Sequence, residues 1–455
     1  MTIRRQGSPR GLSPEEARAL TERVLGFSSA DNARITVQSG RRRFIRSADN
    51  RITTAGDSED VTINVMSVFG QQVASVTTNG LDDAAISAAV RRSEDLARIA
   101  PEDPEYLNEL DAQEYPAVDA FYESTGEMPP DALAEAAAAE INAAKAASFV
   151  ASGYVDVQTG STAIATSNGL FAHHAETGVA STLTVRAPDG SSSGWAGDEA
   201  ADWTRIETPR VAEDAVRKCR TWRGVTTLEP GEYDVVLEPS AAGMLMLRMG
   251  NAFNARPADE GRSFFSSPAG GNRIGEQLFD PRITIVSDPT HPDAETAPFT
   301  SEGIPRGRET WVENGVLRNL SYSRFWASRQ GADAKPEGAN LIMSGGDSTV
   351  DEMIRSTRRG VLITRFWYIR GLNPRTIAFT GLTRDGTFLI ENGRISRPVN
   401  NFRFNQSLAE MLANVEMLGQ PVRVAASENA SVGTPVVVPA MKVRNFNLAS
   451  ISEAV

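Results

Sequence analysis

Cysteine is nearly absent: Cys219 is the single one in 455 residues. One thiol excludes an intramolecular disulfide framework and fits a reducing cytoplasm. Histidine is almost as scarce, with only His173, His174 and His291. Zinc sites draw heavily on these two residue types. His173 and His174 are neighbours on a predicted strand, so they point to opposite faces and cannot jointly hold one metal in the usual way. His291-Pro292-Asp293-Ala294-Glu295 reads as a polar loop rather than a ligand set. No stretch approaches the ~20 apolar residues of a membrane span. The opening MTIRRQGSPRG is basic but has no apolar core, so it reads as a frayed start and not as a secretory signal. Positive charge is in deficit, with Lys+Arg 46 against Asp+Glu 58 and a net charge of −12. That argues against a nucleic-acid partner, which needs a basic patch or stripe. The local cluster Arg41, Arg42, Arg43 and Arg46 reads as a solvated strand face. Ser344-Gly345-Gly346-Asp347 is followed by no Gly-Lys-Ser/Thr, which excludes a phosphate loop. Ser240 lacks the Gly-x-Ser-x-Gly setting of a nucleophile elbow.

The residues present can fill sizeable cores, since 40% are hydrophobic. Length alone suggests about three domains, but only one clear change of pattern occurs, so two are expected, at 13–224 and 225–455. In the first, Ser13-Pro14-Glu15-Glu16 is a capping box that opens a helix. Strands are predicted at 33–38, 42–47, 61–69 and 72–77, with turns at Ser39-Gly40, Gly56-Asp57 and Gly70. Helices follow at 83–99 and, alanine-rich, at 132–147. Further strands are predicted at 149–159, 161–167, 170–177 and 179–187, then a helix over 210–220. The expectation is an α+β class: a helix and antiparallel-sheet domain, then a strand-rich, barrel-like C-terminal domain.

The second part opens on YDVVLEPSAAGMLMLRMGNAF, 233–253. It reads as a short apolar strand running into a helix, with Pro239 in the first turn, where its missing N–H costs nothing. Strands are predicted at 283–287, 308–313, 316–321, 360–370, 376–383, 386–391 and 394–397, with two Asn-Gly hairpin turns. A helix is predicted at 408–418 and terminal strands at 436–438 and 441–443. On the strand 360–370, Phe366, Tyr368 and Arg370 share one face and Arg365, Trp367 and Ile369 the other. Arg365, Tyr368 and Arg370 are the candidates for lining a substrate cleft.

Several blocks occur in a fixed order: GEYDVVLEPSAAG, GRSFF with Gly275-Glu276 downstream, and SDPTHPDAETAPFTSEGIPRGRETWVENGVLRNL. ANLIMSGGDSTVDEMI, RRGVLITRFWYIRGLNPRT and LTRDGTFLIENGRI follow. In this order they resemble the TldD/TldE (PmbA) family of metallopeptidases over nearly the whole chain. In the TldD-type subunit, the resemblance implies, the helix after the strand carries His-Glu-x-x-x-His, two zinc ligands and a general base. Here Leu247, Arg248 and Ala252 stand at those three positions. A Cys near the C-terminus, the third ligand, has no counterpart in 420–435. Leu247 and Ala252 offer no lone pair, and Arg248 is a permanent cation that cannot act as a base. The resemblance therefore implies a TldE-like subunit with no catalytic residue, metal or cofactor of its own. Its partner would be a TldD-like chain that bears the zinc, and together they would act on peptides. The competing expectation is a peptidase active alone with a relocated metal site.

Overall fold

The computed structural model describes residues 11–426, 428 and 430–453. The stretch read as a frayed start lies outside them except for Gly11. Six strands form the first sheet: β1 Asn32–Ala48, β2 Arg51–Phe69, β3 Gln72–Thr78, β4 Val150–Thr166, β5 Phe171–Arg186 and β6 Ser193–Ala200. They lie in the order β3-β2-β1-β4-β5-β6, each antiparallel to its neighbours. Five helices accompany it: α1 Pro14–Leu25, α2 Asp83–Ile99, α3 Glu123–Gly126, α4 Pro130–Ala146 and α5 Thr208–Thr221. The Ser13 capping box forms as expected, with Ser13 accepting from the Glu16 amide and Glu16 reaching back to the Ser13 amide. Alternation decides which face meets the helices. Ile35 and Val37 of β1, Ile63 and Val65 of β2 and Ala163 of β4 pack with Leu20, Val24, Ile86 and Val90 of α1 and α2. Leu183 and Val185 of β5 pack with Ile141, Ala144, Val211 and Cys219 of α4 and α5.

The first sheet has fewer and longer strands than expected. Ser39-Gly40 is no turn: it lies inside β1, with Gly40 opposite Gly160 of β4. A side chain on Gly40 would come within 2.6 Å of the Thr159 carbonyl oxygen, so glycine here serves close approach rather than chain reversal. Gly56 lies inside β2, under the ring of Phe44. The reversal sits at Asp49-Asn50, both with positive φ (50° and 59°), the signature of a tight hairpin turn. The arginine cluster also divides, though not by alternation, since Arg41 and Arg43 share a face of β1. Arg43 is buried and donates to the carbonyls of Met128 and Thr125, whereas Arg41 pairs with Asp57 and Arg42 with Asp156.

The second half holds two more sheets, of six and nine strands. Near the middle of the larger one runs β7, Gly231–Leu237, parallel to Arg359–Ile363 and antiparallel to Met441–Ser452. The larger sheet runs from Phe366–Asn373 at one end to Arg394–Pro398 at the other, and the smaller from Val316–Leu317 to Val422–Arg423. Neither path closes, so the α+β class and the strand-rich second half hold while the barrel gives way to open sheets. The predicted strand 360–370 is interrupted at Thr364-Arg365. The predicted helix 408–418 ends at Ala413, and Val415–Leu418 pairs as a strand with Met441–Ser452.

Candidate functional site

The helix α6, Pro239–Gly250, follows β7 after the single residue Glu238. Pro239 takes the first turn as expected, and the Glu238 amide bonds the Ile363 carbonyl (3.0 Å), tying the strand–helix corner to the neighbouring strand. Ala241, Met244, Leu245 and Met249 are buried in the main core. Leu247 is half-buried against that core. Ala252 lies just past the helix end, with its amide on the Met249 carbonyl (2.9 Å). Arg248 and Ala252 border a cavity of about 380 Å³, walled on its far side by Leu372, Ile377 and Phe379.

Arg248 does not stand alone. Its Nη2 lies 3.3 Å from Glu428 Oε1, and Arg370 Nη1 lies 3.2 Å from Glu428 Oε2. The Ile369 amide also donates to Glu428 Oε1 (2.8 Å). Glu428 is the lone acidic residue in 420–435, the segment in which the family resemblance looks for a third ligand. An Arg–Glu–Arg cluster thus joins α6, the strand Phe366–Asn373 and the C-terminal loop. The residues do not fit zinc: Leu247 and Ala252 carry no donor atom, and Arg248 brings a positive charge already engaged by the carboxylate. Among the described residues, no group of three or more His, Cys, Asp or Glu is placed to hold a metal.

The loop bearing Glu428 is fastened to the first sheet. Arg423 Nη2 lies 3.2 Å from Glu199 Oε1 on β6, and its Nη1 donates to the Asp293 carbonyl (3.2 Å). The Gly433 amide reaches Glu199 Oε2 (3.4 Å) and the Val432 amide reaches Asp156 (3.3 Å). The Val432 side chain fills the space over Gly178. Burial pushes the Glu199 carboxyl up to about 7, against the pull of Arg423. Glu199, Arg423 and Glu428 escape sequence reasoning, because only the fold brings their partners to them: Arg423 lies 224 residues from Glu199, and Arg248 lies 180 residues from Glu428. The solitary acid in 420–435 was the one local signal.

The three candidate cleft residues do not share a surface. The register of Phe366–Asn373 against Ala378–Thr383 shifts between Trp367 and Arg370, and Tyr368 has φ 55°. This bulge breaks the strict alternation expected of the strand. Phe366 and Ile369 both enter the core, while Tyr368 is 52% exposed and lies under the Arg370 guanidinium, 4.0 Å away. Arg365 is buried instead, paired with Asp385 (3.2 Å) between the rings of Trp195 and Trp367. Desolvation brings the pKa of its guanidinium down to about 10. His173 Nε2 bonds the Leu12 carbonyl (2.9 Å), and His291 Nδ1 accepts from the Asp293 amide (3.2 Å). Cys219 is buried, with its thiol pushed up by burial.

A strand–helix corner set in open sheets, beside a helix-backed six-stranded sheet, defines the class of fold. Three family profiles match in succession. They are PmbA/TldA metallopeptidase domain 1 over residues 33–97, the central domain over 123–220 and the C-terminal domain over 230–450. The chain belongs to the PmbA/TldD metallopeptidase family. It is 22% identical to the metalloprotease PmbA of Escherichia coli O157:H7 over 419 residues, 86% of this chain and 88% of that protein. A metalloprotease of Methanothermobacter thermautotrophicus is 28% identical over 326 residues, 64% of this chain and 68% of the relative. The crystal structure of TldE from Thermococcus kodakarensis superposes with a TM-score of 0.83 at 18% identity, covering 96% of this chain and 99% of that one.

Proposed function

We propose that this chain is the non-catalytic, TldE-like subunit of a heteromeric zinc metallopeptidase of the cytoplasm, acting on unfolded or small peptides. In this reading it has no metal or cofactor of its own; zinc resides on a TldD-like partner, and this chain supplies part of the substrate cleft. The carrying observation is the Arg248–Glu428–Arg370 cluster, in which Arg248 stands at the position of the motif's general base. In this reading two guanidinium groups sharing one carboxylate stand where ligands and base would be. Such a wall is useful beside a catalytic centre, and two chains of shared fold can dock about a pseudo-twofold axis. Peptides that add as strands are held by backbone hydrogen bonds and so are accepted with many sequences. The test is co-expression with a TldD-like chain from the same genome, followed by size exclusion with mass measurement, elemental analysis and a peptidase assay. The expected result is a mixed complex whose zinc travels with the partner. Separate elution of the two chains at high concentration, with the partner fully active alone, would refute it. One tightly held zinc on the purified chain would favour a self-sufficient peptidase.

A further inference from the structure

The face of the first sheet turned away from its helices meets the second half of the chain, and at one end of this junction lies a cavity of about 480 Å³. Four arginines line it, Arg46, Arg186, Arg365 and Arg384, against two carboxylates, Asp385 and Glu428. In a chain of net charge −12 this is a local reversal of sign. Both carboxylates are already engaged. Glu428 answers Arg248 and Arg370, and Asp385, 1% exposed, answers Arg365 (3.2 Å) and Arg384 (3.8 Å). Among the described residues, neither Arg46 nor Arg186 has a carboxylate within ion-pair distance. The Nε atoms of Arg186 and of Arg365 are buried without a hydrogen-bond partner among the described residues. Leaving such donors unmet costs free energy that a bound acceptor could return.

The geometry also limits what that acceptor is. The Arg365 side chain is 8% exposed, its guanidinium 4.3 Å from the ring centre of Trp195 and 5.1 Å from that of Trp367. Stacking holds the planar fork in place before any ligand arrives. The cavity also offers an acceptor, since among the described residues Asp385 Oδ1 is buried without a partner. A phosphate is rich in acceptor oxygens, poor in donors and up to doubly charged, so the Asp385 carboxylate would repel it there. A peptide segment brings a carboxylate for the arginines and N–H groups for the acceptors, and the volume lies within the range of small-ligand pockets. We propose that this cavity binds the carboxylate of a peptide segment, from a free C-terminus or an acidic side chain. The proposal takes its substrate class from the subunit reading above, but its test needs neither the partner nor proteolysis.

The probes are acetylated tripeptides of Ala and Gly: one with a free C-terminal acid, one with a C-terminal amide, and one amidated but containing Glu. Inorganic phosphate is the control. Binding to the full chain alone is read by calorimetry and by tryptophan fluorescence, since Trp195 and Trp367 form the walls. At least one acid-bearing peptide should bind about tenfold or more tighter than the plain amide, and the tighter one identifies the source of the carboxylate. Arg186→Gln should remove most of that preference. Arg46→Gln, at an exposed position, should reduce it without threat to folding. Equal affinity for acid and amide overturns the proposal. So do a preference untouched by both variants, phosphate binding as tight as the peptide's, and no acid-bearing probe bound at ~10 mM, a level weaker than useful recognition. A separate failure to co-elute with a TldD-like chain would instead count against the subunit reading.

Discussion

Glu428 is held by two guanidinium groups and a backbone amide, with its side chain only 13% exposed. Its removal strands Arg248, which is 30% exposed, more than Arg370, which is 50% exposed. Glu428→Gln is therefore expected to destabilise the chain by about 1–2 kcal/mol, between the values of exposed and buried ion pairs. Urea unfolding measures it, and a double-mutant cycle with Arg248→Met isolates the coupling. On the subunit reading, Leu247→His with Ala252→His supplies two ligands but still lacks a base and a third ligand. That double variant is expected to show no zinc-dependent cleavage of casein, and cleavage would show that the corner has been misjudged. A different residue governs pH response. Glu140 is almost fully buried on α4, its Oε1 accepts from Ser181 (2.5 Å), and its Oε2 has no partner among the described residues. Burial pushes its carboxyl up to about 8. The folded form then holds a proton that the unfolded form releases near 4.5, so stability is full below that pH and is lost as pH rises toward 8. Glu199, raised to about 7, acts in the same direction. Glu140→Gln should flatten this decline and lift the Tm at pH 8 by at least ~2 °C, while changing it little at pH 4. Parallel Tm curves for the two proteins would remove Glu140 as a cause.

At the scale of elements, glycine and proline did different work. Pro14, Pro130 and Pro239 each sit in the first turn of a helix, so they mark starts that local chemistry alone fixes. Gly40 and Gly160 mark no end at all. They face each other in mid-sheet, where a side chain on Gly160 would meet the Ser39 carbonyl oxygen at 2.4 Å. The contact is with backbone, which cannot swing aside. Gly160→Ala is accordingly expected to cost about 2–4 kcal/mol, in the tail of point-mutant effects, whereas Gly70→Ala, with nothing within 4 Å, suffers only its positive φ. Denaturant midpoints of the two variants make the comparison. A milder effect at Gly160 than at Gly70 would mean that the strands part easily there. The bulge at Tyr368 belongs to the same scale, since one extra residue moved Ile369 into the core and left Arg365 and Arg370 on separate surfaces.

For the whole molecule, we propose that the units are 13–224 and 225–455, joined by the segment after α5. Trp222 lies at that junction. It is 4% exposed, packs with Val236 and Phe388, and donates from Nε1 to the carbonyls of Thr387 and Val399 (3.1 and 3.2 Å). The end of the first unit is thus a plug in the second. Trp222→Ala should cost about 3–5 kcal/mol, as large buried aromatics do, and should quicken proteolysis between Arg223 and Pro230. Unchanged unfolding and cleavage would mean that the units meet elsewhere. The Arg423–Glu199 pair forms a second fastening, from the C-terminal loop back to β6, so the loop that carries Glu428 depends on the first sheet for its position.

Much of the local structure was legible in the sequence by itself. Capping boxes, Pro in first turns, Asn-Gly hairpins and apolar periodicity are written in neighbouring residues. α1, α2, α4 and α5 accordingly lie close to their expected limits, and the strand–helix corner at Pro239 is where it was expected. The ordered blocks placed the chain in its family. Tertiary structure decided the rest. Whether Gly40 and Gly56 turn the chain or let another strand or ring approach depends on what lies opposite, which no window of sequence contains. The same holds for the bulge at Tyr368, for the open rather than closed sheets, and for the meeting of Arg248, Arg370 and Glu428. Charge pairs and cavities form between segments far apart in the chain, and only packing brings those segments within the few ångströms at which a hydrogen bond or ion pair exists.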